Sequence, residues 1–142
     1  MFVKQLSVFI ENREGRLKEV LQVLKTSGVN IVSLSLADTS EYGLLRLLVT
    51  NPEAGKEALQ GNGFSVILTD VLAIRLSHQV GKLQELLEVI CGENINIEYM
   101  YALSTGKDDA SIVLKASDLQ KAEDTLRARG VEIVTPGEIE AM

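Results

Sequence analysis

A chain of 142 residues with 46% hydrophobic content can bury one ordinary core or two very small ones. Its net charge of −6 comes from interleaved acids and bases, with no basic stripe to neutralise phosphates, so nucleic acid is excluded as a partner class. No stretch approaches the roughly 20 apolar residues of a membrane span, and one cysteine, Cys91, excludes an internal disulfide framework or a Cys-based metal cluster.

The opening MFVKQLSVFIENREG lacks the apolar block and small-residue cleavage site of a signal peptide, and is expected to begin a cytoplasmic protein. Leu6, Val8 and Ile10 alternate, which predicts a first strand. Leu17, Val20, Leu21 and Leu24 then follow helical spacing in a helix expected over Arg16–Ser27, with Gly28 at the left-handed cap position. VNIVSLSLA is a second strand, SEYG a turn and LLRLLV a third strand. Arg46, inside that apolar run, is expected at an edge or interface with an acidic partner such as Glu98. Asn51 and Pro52 start a short helix that Gly61 and Gly63 end, and FSVILTD is a fourth strand.

The same order then returns. VLAIRL is a strand, and Lys82–Cys91 a helix with Cys91 expected to be buried and inert. INIEYMYAL is a strand whose Tyr99 and Tyr101 are expected to share a face with Ile97, for packing between sheets or subunits. After the turn STGKDD and the strand ASIVLKA, a helix is expected over Ser117–Arg129, with Ser117 and Gln120 as a capping box, then the strand VEIVT. The tail GEIEAM is expected to fray.

The recurrence is residue by residue. At a spacing of 66, Gly15, Leu17, Glu19, Leu21, Val23, Asn30 and Ile31 match Gly81, Leu83, Glu85, Leu87, Val89, Asn96 and Ile97. Later the register slips by one, where Gly63 and Val66 match Gly130 and Ile133. Two domains are therefore expected, residues 1–70 and 71–142, each reading βαββαβ. Two right-handed crossovers in such a unit give a four-stranded antiparallel sheet with both helices on one face, the ferredoxin-like α+β plan. So small a unit with one covered sheet face needs company, and pairing of two chains is expected as well.

That architecture hosts many functions, so the loops must decide. In ENREGRL the first amides of the helix lack partners within the helix and attract an anion such as a carboxylate, while Gly15 lets the backbone approach a ligand. The Asn12 amide can donate to a carboxylate and accept from an ammonium, and Asn30 stands at the start of the second strand. These parts suit a free amino acid. Structural roles compete at each position: tight-turn glycines, a capping Asn12, an Asn30 that braces its turn, solvated Arg13 and Arg16, and a His78 too isolated to act as a base.

IENREGRLKEVLQVLKTSGVNI resembles the opening of an ACT domain, a small regulatory module that senses amino acids in enzymes of amino-acid metabolism. It is most similar to the serine-sensing domain of phosphoglycerate dehydrogenase, whose loop runs Asn-Arg-Pro-Gly and whose second strand begins Val-Asn-Ile. Residues 4–136, including DTSEYGLLRLLV, TDVLAI and NIEYMYA, resemble stand-alone proteins of two tandem ACT domains. The resemblance implies that Asn12 and Asn30 hold ligand, with sites at domain interfaces. The sequence departs from the pattern at three places. The loop proline is Glu14 in the first unit and Val80 in the second, a ligand histidine is Ile10, and the second loop has His78 for the asparagine. The module is carried over, and serine as its ligand is not. The candidate ligand-contacting set is Glu11, Asn12, Arg13, Glu14, Gly15, Arg16, Leu17, Asn30 and Ile31, with His78, Gly81, Leu83 and Asn96 in the second unit.

Catalysis finds no footing. There is no Ser-His-Asp set, no paired carboxylates at a productive spacing, no phosphate loop, and only one histidine and one cysteine to hold a metal. An acylphosphatase-like hydrolase would need a glycine-rich first loop ending in arginine, and ENREGR has the wrong frame. An RNA-binding module of this fold would carry more than 4% aromatics and basic flanks. The expectation is a non-enzymatic, cofactor-free, cytoplasmic regulator that binds an amino acid or related metabolite and forms a homodimer. The alternative is a ligand-free interaction module that docks on a metabolic enzyme or transporter.

Overall fold

The computed structural model describes residues 2–11, 13–38, 42–76, 81–104 and 110–142. Its elements run β1 (Val3–Glu11), α1 (Arg16–Thr26), β2 (Ile31–Asp38), β3 (Tyr42–Val49), α2 (Pro52–Gly61) and β4 (Ser65–Leu76). They continue α3 (Lys82–Gly92), β5 (Ile97–Ser104), β6 (Ala110–Ala116), α4 (Leu119–Ala128), β7 (Glu132–Val134) and α5 (Pro136–Glu140). The chain divides into two compact units, Lys4–Thr69 with Ile139–Met142, and Met1–Val3 with Asp70–Glu138.

In the Lys4–Thr69 unit the strands lie in the order β2-β3-β1-β4, with β3 antiparallel to both neighbours. Leu6 faces Leu47 and Val8 faces Leu45 across β1 and β3, so the period-two apolar residues share one face. Val20 and Leu24 of α1 and Leu59 of α2 close that face into a single core, each fully or almost fully buried. Burial of each such side chain contributes roughly 1.5–3 kcal/mol. Asn51 caps α2, its side-chain oxygen accepting from the Ala54 amide at 3.2 Å, with Pro52 in the first turn.

The other unit repeats the plan with β5-β6-β4-β7, all neighbours antiparallel. Leu72, Ile74, Leu86, Ile90, Leu114 and Leu126 form its core. The α+β ferredoxin-like plan holds in both units. Gly28 ends α1 at φ 72°, and Asn94 stands at the corresponding place after α3 at φ 59°, a left-handed conformation that asparagine tolerates.

Six expectations need correction. The fourth and fifth predicted strands are one, β4, because no glycine or proline interrupts Ser65–Leu76 and the extended backbone runs on through Asp70. The cap of α4 is Asp118, which accepts from the Lys121 amide at 3.0 Å; Ser117 instead accepts from the Asn96 amide at 3.0 Å, and Gln120 donates to Asp124. The tail does not fray as a whole. Thr135 and Glu138 bond each other's amides, a capping box that starts α5, and Ile139 is buried. A register shift between Ile97 and Tyr99 places Ile97 and Met100 against the core and turns Tyr99 and Tyr101 to the other face. Cys91 is exposed, because the buried stripe of α3 runs through Leu86 and Ile90 and the next residue points about 100° away. Arg46 lies on an inner strand, in register with Ser7 and Ser35 rather than at an edge.

Candidate functional site

Both helices of interest begin at a glycine in the left-handed region. Gly15 has φ 83° and ψ −12°, and Gly81 φ 83° and ψ −2°. A side chain at either φ would be strained, although open space surrounds both positions. Among the described residues neither helix has a side-chain cap, in contrast to α2 and α4, whose first turns Asn51 and Asp118 satisfy. The first turns of α1 and α3 carry an acid each, Glu19 and Glu85, but no side chain among the described residues accepts from their first amides, which face outward at the positive end of the helix dipole.

A groove runs beside each of these helices. In the first unit it encloses about 480 Å³ and is lined by Gly15, Lys18, Glu19, Gln22, Val23, Asn62 and Phe64. In the second it encloses about 530 Å³, and Glu85, Glu88, Val89, Arg129 and Val131 stand where Glu19, Gln22, Val23, Asn62 and Phe64 stand in the first. The duplication thus extends from sequence to surface.

The candidate residues separate into groups. Glu11 and Arg13 pair with each other at 2.9 Å on the surface, and Glu14 is exposed beside Gly15. Leu17 and Ile31 pack against the first core, so their side chains serve the fold. Arg16, expected to be solvated, is not. Its side chain is only 15% exposed, lies 4.2 Å over the Phe64 ring centroid and reaches Glu19 at 2.5 Å, while its Nε is buried without a partner. Asn30 and Asn96 are exposed, and each exchanges backbone bonds with the strand-end hydroxyl residue opposite. The Asn30 amide donates to Thr50 Oγ1 at 3.1 Å and the Asn96 amide to Ser117 Oγ at 3.0 Å. Leu83 is 38% exposed. Asn12 and His78 lie outside the described residues. Sequence reasoning missed Phe64, Asn62, Arg129 and Val131, which enter the grooves from the turns before β4 and β7; the matched Gly63 and Gly130 between them were the available signal.

The second unit holds an ion cluster of its own. Arg75 on β4 donates to Glu132 at 2.8 Å and to Glu138 of α5. The Arg75 guanidinium, followed by the Thr135 amide, holds the Glu138 carboxyl below its ordinary range, and Glu138 chiefly raises Arg75 in turn. No metal-binding group of three or more His, Cys, Asp or Glu occurs among the described residues. No helix among them is long and apolar enough to cross a membrane.

A family model for the ACT domain pair matches residues 1–142. The chain belongs to the ACT domain pair family. This ACT pair is similar over its whole length to protein BT0572 from Bacteroides thetaiotaomicron, at 33% identity, with 98% of that chain covered and a TM-score of 0.94. The regulatory subunit of aspartate kinase from Thermus thermophilus shares the fold at 18% identity, with 88% of each chain covered and a TM-score of 0.65. That from Thermus flavus shares it at 19%, with 90% of each covered and a TM-score of 0.64. No curated protein sequence matches the chain.

Proposed function

We propose that this ACT pair is a non-enzymatic cytoplasmic regulator that binds a free amino acid or a related small metabolite at its glycine-headed loops. The observation that carries the reading is the pair of left-handed glycines, Gly15 and Gly81, that open two uncapped helices beside matching grooves. A ligand carboxylate would accept from the first amides of α1 or α3, with Asn12 and Asn30, or His78 and Asn96, as polar neighbours. Leu17 and Ile31 would hold the loop and strand in place from the core side. The fold shared with regulatory subunits of aspartate kinase supports a regulatory role of this general kind.

Regulation would follow from linkage. A ligand shifts a conformational equilibrium only by its difference in affinity for the two states, so the loops need only bind better in one arrangement. A thermal-shift panel of the twenty amino acids tests this. A ligand at 100 times its Kd should stabilise the protein by about 2.7 kcal/mol, and a flat panel would count against the reading.

A second reading, assembly with another chain, draws on a separate observation. Leu34 and Leu36 are each 46% exposed on β2, the edge strand of the first unit's sheet. Exposed apolar edge strands invite pairing, and a second copy of the chain is the proposed occupant, with a metabolic enzyme as the other candidate. Light scattering should report a dimer that Leu34→Glu reduces to a monomer.

A further inference from the structure

The two grooves differ at one end, and the difference is electrostatic. In the second unit a cleft of about 280 Å³ opens beside the first turn of α3, lined by Arg75, Lys82, Arg129 and Glu132 over Leu86 and Val131. Three of its four charged groups are cations, in a chain whose net charge is −6. The corresponding residues of the first unit are Phe9, Arg16, Asn62 and Ser65 over Val20 and Phe64, with a single cation.

That single cation is consumed internally. Arg16 lies over the Phe64 ring and pairs with Glu19, so it fills the space it might have lined. In the second unit Val131 replaces the ring, and no aromatic face remains to hold Lys82 down. The Lys82 side chain is 39% exposed, and its contact with Glu85 is loose at 3.7 Å. The Arg129 side chain makes no hydrogen bond or ion pair among the described residues, its backbone amide alone being bonded, to the Leu126 carbonyl. Arg75 is different, fixed by Glu132 and Glu138, and those two acids are thereby already engaged.

The cleft therefore has a fixed wall in which Arg75 is charge-compensated by its two acids, an apolar floor, and two long cations, Lys82 and Arg129, with donors to spare. An anion entering it would replace water on both with charge-assisted hydrogen bonds, beside surface that water leaves readily. We propose that this cleft binds a small anion bearing at least two acidic oxygens, carboxylate or phosphate, through Lys82 and Arg129. The site goes beyond the amino-acid reading, since its donors are side chains of the second unit rather than loop amides.

Inorganic phosphate and succinate, titrated separately into the full chain at constant ionic strength, test it through backbone amide NMR shifts. At least one of them should give saturable shifts at Leu83–Leu86 and Gly130–Glu132, and the one that does identifies the acid. Arg129→Ala should weaken that binding about tenfold or more. Arg127→Ala, which removes a side chain paired with Glu123 and absent from the cleft lining, should leave it unchanged. Shifts that sodium chloride reproduces, or that persist at full strength in a natively folded Arg129→Ala protein, would overturn the proposal.

Discussion

The guanidinium of Arg16 lies 4.2 Å above the centroid of the Phe64 ring, joining the head of α1 to the start of β4. Phe64 is 5% exposed and belongs to the first core, so the pair fastens the glycine loop to that core. Phe64→Leu should cost about 1–2 kcal/mol through lost shape and lost cation–π attraction. A double-mutant cycle with Arg16→Met, measured by urea denaturation, should give a coupling of about 0.5–1 kcal/mol. Strict additivity would show that the stacked geometry contributes nothing to the fold.

The helices divide into capped and uncapped pairs, and stability should follow that division. Asn51→Ala and Asp118→Ala each remove a side-chain acceptor from a first-turn amide, and each should cost about 1 kcal/mol. Both losses should appear as lower urea midpoints with unchanged slopes. A loss of a few tenths of a kcal/mol at either position would mean that water replaces the cap at no cost.

Arg75 and Glu138 predict an acid-dependent term. Because Arg75, then Thr135, lowers the Glu138 carboxyl in the folded protein, its contribution is complete above the unfolded carboxylate value. It is lost as pH falls through the lower folded value. The stability difference between wild type and Glu138→Gln should be largest near pH 7 and should shrink by about pH 3. Urea midpoints at the two pH values measure it, and a difference independent of pH would contradict the assignment.

Cys91 is the only cysteine and is exposed. Native protein should therefore react with a chromogenic thiol reagent to one equivalent, as fast as the urea-unfolded chain to within about tenfold. Reaction only on unfolding would place the thiol in the core after all.

Much of this was legible because the repeat checks itself. Glycines at equal spacing, helical apolar stripes and the Asn51–Pro52 start each rest on local physics, and the duplicated unit confirmed the order of elements. What stayed hidden depended on less local terms. No glycine or proline breaks Ser65–Leu76; the boundary between the repeats at Asp70 split one strand into two. The bulge between Ile97 and Tyr99 inverts a face assignment that strict period two would preserve. Cys91 could have been placed from its counterpart Lys25, an exposed residue on the same helical flank. The Thr135–Glu138 box was readable, but it starts a helix of only 5 residues. The Arg16–Phe64 contact joins positions 48 apart and has no local signal.

The most direct test of the proposed regulator asks where a free amino acid lands. Backbone amide shifts of the full chain, titrated with the twenty amino acids in pools, should show saturable changes centred on Gly15–Leu17, Gly81–Leu83 or both. Those changes should vanish in Asn12→Ala or Gly15→Ala protein if the first loop is the site. Pools that leave every one of these amides unmoved, or that move only amides remote from both glycine loops, would contradict the account.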